Sequence, residues 1–201
     1  MKKLPILFAL AAAISVGGGF AAAHDPSDKS GAEASHGNES HHESLTSAEF
    51  ASKAAQDGMT EVELARIALN KSQDKDVQEF ANRMLKDHGK ANSQLMSIAQ
   101  QKKLQVPAQL DSKHRAMVDE LKGKSGAAFD AAYSHHMAMD HDKVVDYFKH
   151  AAVSKGVDSE LSAFARDTLP TLKEHKRMAE ALQSRKGGTA SANTNRSTDN
   201  R

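Results

Sequence analysis

Residues 77–98 read VQEFANRMLKDHGKANSQLMSI. Val77, Ala81, Met84, His88, Ala91, Leu95 and Ile98 recur on alternating steps of four and three. That spacing lays one stripe along a helix and suits coiled-coil-like packing in a bundle. The helix is expected over 76–103, with Val106-Pro107 ending it.

The same period extends outward in both directions. A first helix is expected over 46–72, opened by the capping-box pair Thr46 and Glu49. Its stripe is Phe50, Ala54, Met59 or Gly58, Glu61, Ala65 and Ala68, and Gly58 weakens its middle. A short helix over 112–122 is expected to cross the end of the bundle. The third main helix, over 127–154, carries Phe129, Tyr133, Met137, Asp140 or His141, Val144, Phe148 and Ala151. The fourth, over 159–183, carries Leu161, Ala165, Thr168, Leu172, His175, Ala179 and Leu182. Pro170 lies inside it and is expected to kink or split it. No strand-like alternation and no internal repeat occurs. The predicted fold is all-α: an antiparallel, ferritin-like bundle of four main helices at 46–183, with a short extra helix between helices two and three.

The flanks differ. Lys2 and Lys3, the apolar run 4–14 and Ala21-Ala22-Ala23 form a signal-peptide pattern with an expected cut after Ala23. The apolar run is short for a membrane span. With no Cys at the cut, a lipid anchor there is excluded. The expected address is the periplasm, with no stable membrane insertion after cleavage. Loss of Lys2 and Lys3 moves the formal charge from +1 to −1. Residues 24–45 form a polar linker with His24, His36, His41 and His42, read either as a plain linker or as a loose metal-collecting tail. Residues 184–201 are expected to be a disordered tail.

Composition narrows the chemistry. The 201 residues include no Cys, so disulfides, thiolate metal sites and cysteine nucleophiles are excluded. The 11 His and 8 Met remain, with Asp and Glu, for metal chemistry. The balanced charge speaks against nucleic-acid binding.

One helix after another places a polar residue on its apolar stripe: Glu61, His88, His141 and His175. A polar group facing a core needs a partner, or it costs a few kcal/mol. If the two short connections lie at the same end of the bundle, the four sit roughly ten, fourteen, fifteen and seventeen residues from it. At a rise of ~1.5 Å per residue they fall within about 10 Å of one another. Such a layer suits a divalent or copper ion held by imidazoles and a carboxylate. It equally suits a hydrogen-bonded network that fixes register. His136 and Asp140, one turn apart, are secondary ligand candidates. Asp87, Asp140 and Glu174 each precede a layer His and point about 100° away from it, free to orient a neighbour's ring or face water. Met84, Met137 and Met178 lie one turn from the three His, as gap fillers or as soft ligands.

Four stretches carry a resemblance: FASKAAQDGMTEVELARIAL (50–69), VQEFANRMLKDHGKANSQL (77–95), LKGKSGAAFDAAYSHHMAMDHDKVVDYF (121–148) and LSAFARDTLPTLKEHKRMAEAL (161–182). They resemble the exported bacterial proteins grouped as domain of unknown function 4142. The resemblance implies a ferritin-like helical bundle and an exported location, and no settled activity. The motifs it carries over are Glu61, Asp87-His88, Phe129-Asp130-x-x-Tyr133, the His141 region, Pro170 and His175.

The chain departs from iron-oxidising ferritins. Its Glu-x-x-His pairs, Glu33/His36 and Glu39/His42, lie in the linker, outside the expected bundle. Copper or zinc therefore suits the layer better than iron. No phosphate loop, nucleophile elbow or His-Glu-x-x-His motif occurs. Asp87, Glu61 and Tyr133 offer acid–base groups that nothing in the spacing selects, so the reading leans away from an enzyme. The other reading is an envelope stress protein or partner-binding scaffold, with a protein partner that the sequence does not name.

Overall fold

The structure is a computed structural model that describes the backbone of residues 44–195 and the side chains of 44–185. The expected signal peptide, all four linker histidines and residues 196–201 lie outside the described residues. Five helices follow one another: α1 (Ser47–Lys71), α2 (Lys75–Gln101), α3 (Ser112–Lys122), α4 (Gly126–Val153) and α5 (Ser159–Asn195). There is no strand among the described residues, and no helix there is long and apolar enough to cross a membrane.

Local chemistry sets the helix starts. At α1 the Thr46 hydroxyl accepts from the Glu49 backbone, and the Glu49 carboxylate accepts from Thr46 N–H at 2.8 Å. Asp74 and Asp111 cap α2 and α3 with their carboxylates alone, Asp74 accepting from Asp76 and Val77 N–H and Asp111 from His114 N–H. Gly58 does not break α1. It sits where α1 and α2 approach closely, and a Cβ there would run into the Asn92 side chain. Pro170 does not split α5. It lies on the exposed face together with Arg166, whose carbonyl loses its helical donor toward water rather than toward the core. α5 also runs on past residue 183, because no proline follows Gln183 and the glycines at 187 and 188 weaken a helix without ending it.

The helices pack as two antiparallel pairs, α1 with α2 and α4 with α5. The two short connections lie at opposite ends, contrary to the expectation of a shared end. The start of α1 meets the α4–α5 turn, with Ser47 N–H donating to Gly156 O at 3.1 Å. The end of α1 meets the start of α4, with Lys71 Nζ donating to Lys124 O at 3.0 Å. The reason is the segment between α2 and α4, which travels back along the length of the bundle. Gln56 clamps it to α1, donating to Gln109 O at 2.9 Å and accepting from Asp111 N–H at 3.0 Å. α3 therefore runs along α1 rather than across the bundle end, and α2 and α4 point the same way. One long crossover of this kind is the ferritin-like connection.

The apolar core is in two parts. One, at the α1–α2 turn, gathers Leu64, Phe80, Met84, Phe129, Tyr133, Met137 and Leu182. The other, at the α4–α5 turn, gathers Phe50, Leu95, Phe148, Leu161, Phe164 and Leu172. The polar layer lies between them.

Gly156 tests how the second end is locked. An added Cβ would meet the Leu45 carbonyl oxygen at 2.6 Å, and backbone cannot swing away. Gly156→Ala is expected to cost about 1–3 kcal/mol of stability by overpacking, read from urea melts.

Candidate metal centre

Each long helix delivers one polar side chain to the gap between the apolar clusters. Glu61, His88, His141 and His175 are 1%, 6%, 0% and 0% exposed. The four therefore converge although the chain ends are arranged differently from expectation. His88, His141 and His175 sit near mid-bundle, and reversing a helix about its midpoint leaves a central residue at the same depth.

The three rings lie 5.2–5.7 Å apart by centroid. One nitrogen from each lies within 4.8 Å of the others. Hydrogen bonding decides which nitrogens are free. His141 Nδ1 sits 3.0 Å from the Met137 carbonyl, so it carries the proton and Nε2 keeps its lone pair. His175 Nε2 sits 3.0 Å from Asp87 Oδ2, so it donates and Nδ1 keeps its lone pair. His88 Nε2 is 2.7 Å from Glu61 Oε2, but the approach misses hydrogen-bond alignment. The result is a set of buried atoms without hydrogen-bond partners: His88 Nε2, His141 Nε2, His175 Nδ1 and Glu61 Oε1.

Burial keeps the rings neutral. It pushes His88 down to about 4 and His175 down to about 4, the latter with help from the nearby His88, and it lowers His141 as well. A neutral imidazole is the form that ligates metal. Burial raises Glu61, opposed by His141 and by a hydrogen bond with Asp140. Asp140 is raised to about 7 by burial and then by the negative fields of Glu61 and Asp57. Glu61 and Asp140 thus form a carboxyl pair that favours holding a proton.

The three acids that precede a histidine meet three different fates. Asp87 orients His175 from the neighbouring helix. Burial alone would raise it, but hydrogen bonds from Arg83 and His175 outweigh that and hold it low. Asp140 turns to Glu61. Glu174 faces outward and binds Arg177 at 2.6 Å. A ligand histidine held through its other nitrogen by a carboxylate or carbonyl is the usual support of a metal site. His175 and His141 both have it.

His136 and Asp140 line a separate cavity between α3 and α4. His136 Nε2 is buried there without a hydrogen-bond partner. Met84 and Met137 are packed into the apolar cluster beside the layer, with Met178 against it. One contributor escaped the sequence reading. Asp57 is buried, takes Lys53 Nζ at 2.7 Å and faces His114 Nε2 at 3.3 Å, and its charge acts on both Glu61 and Asp140. Its position one turn before Glu61 was the available signal.

The sequence pattern described as Domain of unknown function (DUF4142) matches residues 32–182, most of the chain. The chain belongs to the DUF4142 family. No curated protein matches it. Among solved structures, a DUF305 fragment from Deinococcus radiodurans aligns at TM-score 0.61 and 16% identity, over 69% of this chain and 95% of that one. A putative secreted DUF305 protein from Streptomyces coelicolor aligns at TM-score 0.59 and 15% identity, over 71% and 94%. At this identity the DUF305 likeness speaks to the helical fold of the DUF4142 protein alone.

Proposed function

We propose that this DUF4142 protein is an exported, non-enzymatic metal binder of the periplasm. His88, His141 and His175 ligate one copper or zinc ion, and Glu61 completes the set from α1. The observation that carries the reading is the convergence of three neutral imidazoles, each with a buried nitrogen lacking a hydrogen-bond partner. Nitrogen donors with one carboxylate suit zinc and copper. Export rests on the signal-peptide pattern of residues 1–23.

The test is calorimetry with metal analysis on a full chain whose His24, His36, His41 and His42 are changed to alanine. That background removes the loose linker sites. One tight copper or zinc ion per chain is the expected result, and no tight site would end the proposal. Asp87→Asn, which stops holding His175 in one tautomer, is expected to weaken binding about 10–100-fold. Glu174→Gln, on the water side, serves as the control and leaves affinity unchanged.

A second reading has its own support. The Asp87–His175 hydrogen bond at 3.0 Å and the close Glu61–His88 approach at 2.7 Å also fit a polar layer that only sets helix register in a partner-binding scaffold. Against it stands the cost of the unpartnered nitrogens, about 1–3 kcal/mol for each buried group left without a hydrogen bond.

A further inference from the structure

The buried histidines need a way in. His141 and His175 are fully buried and His88 nearly so, with apolar clusters sealing both ends of the layer. On one side, however, a cavity lies against Asp140, next to the layer. It lies between α3 and α4, encloses about 330 Å³, and is lined by Met117, Glu120, His136, Met139 and Asp140 among others. Asp140 links the two: it lines this cavity and hydrogen-bonds Glu61, which in turn reaches His88 at 2.7 Å. The cover is thin, because α3 has eleven residues and buries only Val118 and Leu121.

The donor types in the cavity are selective. Lys124 and Lys143 also line it, so it does not attract cations by charge alone. Glu120 is already engaged by Lys124 at 3.5 Å. What remains is two thioethers and two imidazoles: His135, whose Nδ1 is 2.8 Å from Gln183 Nε2, and His136, whose Nε2 is buried without a hydrogen-bond partner. Thioether with imidazole favours a soft monovalent ion over zinc. Met139 is 48% exposed despite being a large apolar side chain, so the cavity lining reaches the solvent edge there.

We propose that this cavity is the port through which a soft monovalent copper ion reaches the core histidines. Met117, Met139 and His136 are its docking donors, and Asp140 is its link to Glu61. The inference rests on the metal-binding reading and adds to it the route and the oxidation state of the ion taken up. No electron transfer is involved, because the ion only exchanges ligands.

The experiment uses the full chain with methyl-labelled methionine and silver(I), a redox-inert stand-in for monovalent copper, with the four linker histidines changed to alanine. The Met117 and Met139 methyl resonances are expected to shift on silver addition, while Met96, exposed on α2, stays still. The shifts are expected to persist in His88→Ala/His175→Ala, where the destination is gone and the port remains. In stopped-flow uptake, Met117→Leu/Met139→Leu is expected to slow loading of the core site about tenfold with its equilibrium affinity kept, since a residue on a route alters on- and off-rates together. Ala132→Phe, which narrows the cavity, gives an independent variant and is expected to slow uptake likewise. Unchanged uptake in both variants, or silent Met117 and Met139 methyls, would overturn the port. A loss of affinity without a loss of rate would make the methionines ligands and overturn it equally. Shifting methyls in a wild-type chain with no tight core site would locate the failure in the proposed function and remove the route's destination.

Discussion

Changing His88 and His175 together to alanine is expected to abolish the metal-dependent rise in melting temperature. Free metal at a thousand times its dissociation constant stabilises a chain that binds it only when folded by about 4 kcal/mol. For a protein of this size that is about 10 °C. The double variant retains His141 and Glu61, too few donors for a tight site. Leucine at the same two positions separates the readings further. If the layer is a ligand set, the apo protein carries buried nitrogens without partners, and His88→Leu/His175→Leu raises apo stability by about 1–3 kcal/mol. If the layer is a satisfied register network, leucine breaks it and stability falls. Urea melts in the presence of a chelator read the sign directly.

Asp140→Asn is expected to stabilise the apo protein at pH 8 and to lose that advantage as the pH is lowered toward 4. Asp140 is raised from 3.8 to about 7 in the folded chain. A raised acid contributes stability that is complete below its unfolded value and is lost as pH rises through the folded one. Asparagine resembles the protonated form and escapes that loss, which amounts to about 2–3 kcal/mol after allowance for the open side of the cavity. The histidines act in the opposite sense. His88 and His175 titrate at 6.5 unfolded and about 4 folded, so the stability they contribute is complete above pH 6.5 and falls away between 6.5 and 4. Wild-type apo protein is thus drawn down from both sides, and Asp140→Asn removes the alkaline side. A difference between the two proteins that stays flat from pH 4 to 8 would mean that Asp140 ionises as an ordinary surface acid.

Much of the molecule was legible from apolar spacing. The stripes through Phe50, Val77, Phe129 and Leu161 are buried apart from the half-buried Ala91, Ile98 and Thr168, and the Thr46/Glu49 box opens α1. The layer was legible for the same reason: a His or Glu on an otherwise apolar stripe has to face the interior, and mid-helix positions share a depth in either direction of travel. Side-chain direction off the stripe was not legible. Nothing in the residues around Asp87, Asp140 and Glu174 says that one binds a neighbouring histidine, one a carboxyl and one the solvent. That depends on which helix stands beside each.

The path of the crossover was likewise beyond sequence periodicity. Periodicity says which face of a helix is buried, and nothing about the direction in which a connecting segment runs. Gln56 and the Lys71–Lys124 contact settle that direction through pairings more than fifty residues apart. The helix positions short of the α5 extension, the inward faces and the four residues of the polar layer follow from the order of residues alone, because they arise from local geometry and hydrophobic burial. The tautomers of His141 and His175, the Glu61–Asp140 pair and the cavity under α3 exist only once the helices are packed, because each is made by atoms that the chain brings together from different helices.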